Sequence, residues 1–275
     1  MTNSFDQLVD LALYEDFSTR GDVTSLALFD QSTPGEIAIT ARSKGVISGC
    51  DIAKLVFSKV DPTIEVNWLK TDGEICLPKE SIAKITGPLA SILKAERTVL
   101  NFLCHLSGVA TLTNSFVQIL NEIGSTTKVR DTRKTTPGYR ELEKAAVVHG
   151  GGINHRMGLY DAFLVKDNHL QGVSISEVVE KCRAFDSSLP LEVEVDSIEQ
   201  LKIVAVAKPD LILLDNFSTE MVYNALALEL DIPFEISGGV NISNLDEYGM
   251  TNVKYIAIGA LTHSAPILDL GFDIL

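Results

Sequence analysis

The chain has 275 residues, 45% of them hydrophobic and 22% charged, and carries a formal net charge of −14 at pH 7. That length buries a substantial core in one large domain or two ordinary ones, and the composition is that of a soluble globular protein. The acid excess argues against nucleic acid and against an anionic membrane surface as partners, because both need a basic face. The opening MTNSFDQLVDLALYEDFS has neither the basic start nor the apolar stretch of a secretion signal. No uninterrupted apolar run approaching the roughly 20 residues of a bilayer span is expected. Cys50, Cys76, Cys104 and Cys182 form no C-x-x-C pair and read as buried free thiols of a reducing cytoplasm, with no zinc or disulfide framework implied.

Phe5, Leu8, Val9, Ala12 and Leu13 recur at helical spacing and predict a short N-terminal helix, broken by GDVTSLAL at 21–28. Residues 36–80 read mainly as strands, with Gly45, Gly49 and Gly73 as turn markers, so a small β-rich domain is expected over 20–95. A long helical pattern from Leu93 to Leu120, interrupted near Ser107-Gly108, would connect it to a second domain. The expected division is 1–107, an N-terminal α/β domain with the connector helix, and 108–275, a parallel α/β barrel. From about residue 126 strand and helix alternate, the apolar runs being KVR near 129, AFLV, LEVEV, DLILL, PFEI and YIAI. Such alternation with apolar strands implies a parallel sheet covered by helices. Glu194, Asp215, Ser237 and Gly259 stand 21 or 22 residues apart, a step short enough for a barrel, although six clear strands leave it incomplete.

The strand tips carry the chemistry. In order they are Arg133-Lys134, Lys166, Glu194, Asp215, Ser237-Gly238-Gly239 and Gly259, and in βα barrels such tips and their loops build the active site. Arg133, Lys134, Arg156 and Lys166 would form a cradle for a small anion, since Arg forks bind carboxylates and phosphates bidentately. The segment 128–170 delivers them through a helix at Tyr139–Val148 and a glycine loop at 150–152. Arg140 and Lys144, on that helix, read as solvated surface charges. Glu194 and Asp215 read as holders of Mg²⁺ on a pyrophosphate, as stabilisers of positive charge on a sugar carbon, or as members of buried ion pairs. SGGV and IGAL would receive phosphate on backbone N–H groups, each aided by the N-terminus of the helix after it. His155 reads either as a donor or proton shuttle or as structural; His105 and His149 read as structural, and His169 and His263 as supports behind the site. Lys166 has a rival role as a Schiff-base lysine of an aldolase-like lyase.

The run DTRKTTPGYRELEKAAVVHGGGINHRMGLYDAFLVKDNHL resembles the signature of the quinolinate phosphoribosyltransferase family, also called nicotinate-nucleotide pyrophosphorylase (carboxylating). GVISGCDIA, ERTVLNFLCHLSGVAT, EVEVDSIEQL, DLILLDN, ISGGVNISN and IGALTHSAPILDL occur in the family's order, so the likeness covers nearly the whole chain. It implies an N-terminal α/β domain on an incomplete α/β barrel, in a homodimer with shared sites or a higher oligomer. It implies conversion of quinolinate and phosphoribosyl pyrophosphate (PRPP) to nicotinate mononucleotide, pyrophosphate and CO₂, with Mg²⁺, in NAD biosynthesis. By this resemblance Arg133, His155, Arg156 and Lys166 grip quinolinate, and Arg97 of ERTVLN enters from the partner subunit. Thr132 and Lys134, Glu194 and Asp215, Ser237, Gly238 and Gly239, and Ile258, Gly259 and Ala260 would hold PRPP. A paralogous transferase using another acceptor would share these features.

Overall fold

The computed structural model describes residues 4–275 apart from Gln31 and Gln171, so the first three residues of the opening stretch lie outside it. In chain order the first elements are α1 (Ser4–Phe17), α2 (Val23–Leu28), β1 (Pro34–Ala41), β2 (Gly45–Val46), α3 (Cys50–Val60), β3 (Glu65–Trp68), β4 (Ile75–Cys76) and β5 (Ser81–Pro88). Then come α4 (Leu89–Glu122), β6 (Lys128–Arg130), α5 (Arg140–His149), β7 (Phe163–Val165), α6 (Ile175–Phe185), β8 (Leu191–Val195) and α7 (Ile198–Val206). The chain closes with β9 (Leu211–Asp215), α8 (Thr219–Leu226), β10 (Phe234–Ser237), α9 (Leu245–Gly249), β11 (Tyr255–Ala257), α10 (Ala260–His263) and β12 (Leu270–Ile274).

By compactness the chain falls into two units that are each discontinuous in sequence. One unit comprises Met1–Asn114, Pro137–Gly151 and Ala265–Leu275; the other comprises Ser115–Thr136 and Gly152–Ser264. Pairings between residues far apart in sequence explain the first. Its antiparallel sheet runs β12-β1-β5-β3, so the last strand lies against the first, with Ile37 opposite Ile274. α5 is tied to α4 by His105 Nε2 at 2.9 Å from Glu143 Oε1, and Phe102 stacks on Tyr139 with ring centroids 5.5 Å apart. His149 Nδ1 lies 2.8 Å from Ser48 Oγ, so both helix histidines have structural partners in this unit.

The structure corrects several sequence expectations. The stretch 36–80 contains α3, whose Ile52, Ala53, Val56 and Phe57 are buried at helical spacing; the glycines before it mask that period. The segment 21–28 ends α1 but also begins α2, because the Asp22 carboxylate accepts from the Thr24 and Ser25 amides. Ser107-Gly108 does not interrupt α4. A Cβ at Gly108 would lie 2.2 Å from Pro266 O, so glycine is there to admit a neighbouring backbone, while Ser107 Oγ accepts from Ser48 N at 3.0 Å. α4 is also long and apolar enough to span a membrane by length and composition, though polar residues interrupt it; just over half of its most apolar window is buried, as in a core helix. Lys144 is fully buried, not a solvated surface charge. Cys182 is only partly buried, unlike the other three cysteines.

In the second unit all six strands are parallel, in the order β6-β11-β10-β9-β8-β7. The first strand pairs with the last and the others neighbour their sequence successors, which is the cyclic order of a barrel. Among the described residues the ring is open between β6 and β7, where a single bridge from Ile153 to Arg130 stands. This is the expected incomplete barrel. Val129, Val193, Ile212, Leu214, Ile236 and Ile256 fill its strands because helices cover the outside and side chains the inside. Ser174, Ser197 and Ser218 each cap a following helix by accepting from the amide three residues on, a contribution of about 1 kcal/mol apiece.

Candidate active site

A cavity of 570 Å³ opens at the C-terminal ends of these strands, a size suited to small-molecule ligands. Thr132, Arg133 and Lys134 line it from the loop after β6, His155 and Arg156 from the segment before β7, and Lys166 from the tip of β7. Glu194, Asp215, Ser237 and Gly238 line it from the ends of β8, β9 and β10. Residues distant in sequence therefore share one opening, because parallel strands place all their C-terminal tips on the same side of a sheet.

Local hydrogen bonds fix the cationic loops. Thr132 Oγ1 accepts from Lys134 N at 3.1 Å, and Thr262 Oγ1 of α10 donates to Lys134 O at 2.8 Å. A Cβ on Gly259 would come within 3.0 Å of Lys134 Cδ, so glycine there makes room for the lysine stem. The buried Asp131 accepts from His155 N at 2.8 Å, and Asp161 accepts from the amides of Met157 and Gly158 at 2.6 and 2.9 Å. Arg156 Nη1 donates to Ala162 O at 3.1 Å; burial and the neighbouring Arg133 hold its affinity for a proton below the usual guanidinium value. Across the cavity the Lys166 ammonium contacts the Glu194 carboxylate, and Asp215 Oδ2 accepts from Asn216 Nδ2 at 2.8 Å. Lys166 N donates to His169 Nδ1 at 2.9 Å, the supporting role expected of that histidine.

At the base of the cavity lies a set of charges in which His155 is an expected site residue but Arg130, Glu192 and the lining residue Glu235 are not. Arg130 pairs with Glu235, and His155 Nε2 stands 2.9 Å from Glu192 Oε2 and 3.5 Å from Glu235 Oε1. Burial pushes the Glu192 and Glu235 carboxyls up to about 7 from the ordinary carboxylate range. The signal is present in LEVEV and PFEI. Successive side chains of a strand alternate faces, so Glu192 shares a face with Glu194, and Glu235 with Ser237. A charge in the middle of a buried strand needs a partner, whether or not it touches a ligand.

Other predicted residues fall outside the cavity lining. Ile258 is buried, Gly259 packs against Lys134, Ala260 starts α10, and Gly239 comes directly after the lining residue Gly238. Arg97 lies in the first unit on α4, 68% exposed and 3.9 Å from Glu96. The helix assistance expected at the glycine loops is also corrected. After SGGV no helix begins until the five-residue α9 at Leu245, and IGAL leads into an α10 of only four residues. Gly238 and Gly239, at φ +91° and +70°, are needed for the turn itself, and Asn241 and Asn244 side chains donate to Gly239 O at 3.3 and 3.1 Å.

Family models for the N-terminal and C-terminal domains of quinolinate phosphoribosyl transferase match residues 22–107 and 109–273. The chain is 41% identical over 270 residues to the nicotinate-nucleotide pyrophosphorylase (carboxylating) of Mycobacterium leprae, covering 96% of this chain and 94% of that one. Among solved structures, the nicotinate-nucleotide pyrophosphorylase of Francisella tularensis superposes with a TM-score of 0.93 at 36% identity, over 99% of this chain and 96% of that one. That of Ehrlichia chaffeensis gives a TM-score of 0.92 at 34% identity, over 100% of both chains. With both domains matched, relatives alike from end to end, and charged strand tips gathered at one mouth, the chain belongs to the quinolinate phosphoribosyl transferase family.

Proposed function

We propose that this chain transfers the phosphoribosyl group of PRPP to quinolinate with loss of CO₂, giving nicotinate mononucleotide and pyrophosphate for NAD biosynthesis. The observation that carries the reading is the cavity in which Arg133, Arg156 and Lys166 stand together with Glu194 and Asp215, in a chain of this family. Quinolinate is a dianion, and paired cations offset the cost of taking it out of water. Its ring nitrogen attacks the anomeric carbon as the bond to pyrophosphate breaks. The pyridinium so formed accepts the electron pair left when the 2-carboxyl group departs as CO₂, and a proton replaces it on carbon. No covalent enzyme nucleophile is required, so the residues act by placing the reactants and by stabilising charge.

Lys134 and the Ser237–Gly239 turn would hold the phosphates, with Thr132 and the Ile258–Ala260 segment around Lys134. Glu194 and Asp215, on adjacent strands, fit the small carboxylate set that Mg²⁺ accepts alongside substrate oxygens. Bound there, Mg²⁺ would neutralise charge on the departing pyrophosphate. Lys166, paired with Glu194, is an ammonium placed for an anion, which favours this reading over a Schiff-base lyase needing a neutral amine. Arg97, remote in sequence from the cavity residues and exposed, supports a homodimer in which it serves the partner's site. The reaction would take place in the cytoplasm; recovery of the protein from another compartment on cell fractionation would remove that part.

The decisive experiment is release of ¹⁴CO₂ from carboxyl-labelled quinolinate. Release that needs both PRPP and Mg²⁺ is expected, whereas turnover of a different acceptor only would favour a paralogous transferase. Mixing Arg97→Ala with Arg156→Ala chains should restore some activity, and mixed dimers that stay inactive would refute shared sites.

A further inference from the structure

With side chains 15%, 7%, 0% and 8% exposed, Arg130 of β6, Glu192 of β8, Glu235 of β10 and His155 of the segment before β7 meet at the cavity floor, where Glu235 and His155 belong to the lining. The imidazole of His155 is engaged through both nitrogens. Nδ1 accepts from the backbone N–H of Arg156 at 2.6 Å, so the hydrogen belongs on Nε2, which faces Glu192 Oε2 at 2.9 Å and Glu235 Oε1 at 3.5 Å. Arg130 completes the set: one guanidinium nitrogen pairs with Glu235, and another lies 3.5 Å from Asn154 O. Its Cζ sits 4.3 Å over the Tyr255 ring. The run Asn154-His155-Arg156 is thus tied to the buried charges at Asn154 O and at the His155 ring, and that ring in turn holds Arg156 N. A histidine bound in this way directs its hydrogen-bonding capacity to the protein and not to a carboxylate in the cavity.

We propose that Glu192, Glu235 and Arg130 are positioning residues for the acceptor half of the site, acting through His155 to hold Arg156 where it meets an acceptor carboxylate. His155 belongs with them, as the link between the buried acids and the cradle. Charge balance gives the arrangement a second reason. Arg133 and Arg156 repel each other at the cavity wall, and negative charge directly beneath offsets that repulsion before any substrate arrives. The same His and Glu atoms lie within 4.8 Å of one another, a spacing that would suit a metal ion. Arg130 already occupies Glu235, however, and the imidazole nitrogen facing the acids carries a hydrogen, so the set is built as an ion-pair network.

This inference rests on the acceptor reading of the proposed function, and steady-state kinetics with quinolinate and PRPP varied separately will test it. In Glu192→Gln and Glu235→Gln the KM for quinolinate should rise about 10-fold or more, with the KM for PRPP within about 2-fold of wild type. In a His155→Ala background, adding Glu192→Gln should change the quinolinate KM by less than about 2-fold, because the link is already cut. Parallel rises in both KM values, a fall in kcat alone, or independent multiplication of the two effects would each overturn the proposal. Circular dichroism checks folding, and if Glu235→Gln does not fold, the near-isosteric Glu192→Gln and the double variant decide. A wild-type enzyme without quinolinate turnover would sink the functional reading and this inference with it. An active wild type with unchanged variants would sink this inference alone.

Discussion

The two ends of the six-stranded sheet carry hollows of similar size and opposite chemistry. At the N-terminal ends a space of 620 Å³ is walled by Leu226, Leu230, Ile232, Phe234 and Val253, with Lys128 and Lys254 exposed at its edge. At the C-terminal ends the 570 Å³ cavity is walled by paired and opposed charges aimed inward from five strands or their loops. Volume does not distinguish them. Convergence does, since buried charge is costly and persists only where partners or ligands compensate it. The floor between them, with Arg130, Glu192 and Glu235, belongs electrostatically to the C-terminal end.

Substitutions at the two ends sharpen or break this contrast. The largest effect is expected for Glu194→Ala and Asp215→Ala, with kcat down about 100-fold or more in steady-state assays, as when a transition-state stabiliser is removed. Arg133→Ala and Arg156→Ala come next. Loss of a charge-assisted contact worth about 1.5–3 kcal/mol should raise the quinolinate KM roughly 10- to 100-fold while kcat changes less. A smaller effect concerns pH. Glu235 is raised to about 7 in the folded state, so its stabilising contribution is complete below the ordinary carboxylate range and is lost as pH rises through 7. The Tm should therefore fall by a few degrees between about pH 5 and pH 8 in wild type, and fall less in Glu235→Gln, by scanning calorimetry; parallel slopes would remove the assignment. The smallest effect belongs to the other end. Lys128→Ala and Lys254→Ala should leave both kinetic constants within about 2-fold, and a large loss there would show that the N-terminal hollow takes part after all.

The barrel half is legible in the sequence because buried parallel strands are short apolar runs and their C-terminal ends are charged, as at Glu194 and Asp215. Ten of the predicted lining residues meet at one cavity for that reason. What escapes a sequence reading depends on contacts remote along the chain. Gly108 looks like a helix break until Pro266 is seen beside it, and Lys144 looks solvated until the fold buries it. Glu192 and Glu235 look like ordinary strand letters, although alternation puts them on the faces of Glu194 and Ser237. α3 is hidden because Gly45 and Gly49 just before it outweigh the helical period of an 11-residue segment in a local reading. The discontinuous make-up of the compact units is hidden likewise, since β12 returns to β1 across the length of the chain.

On the roles proposed above, the contact between Lys166 and Glu194 would make the site a latch. An acceptor carboxylate that took the ammonium would set the acid at liberty for the donor side, and a donor that recruited the acid would free the ammonium. Whichever reactant arrived first would then prepare the berth of the other, and reciprocity would require the gain in affinity to be equal in both directions. Calorimetric titration of each ligand with and without an unreactive analogue of its companion would measure that gain, and a Lys166→Ala chain should lose it.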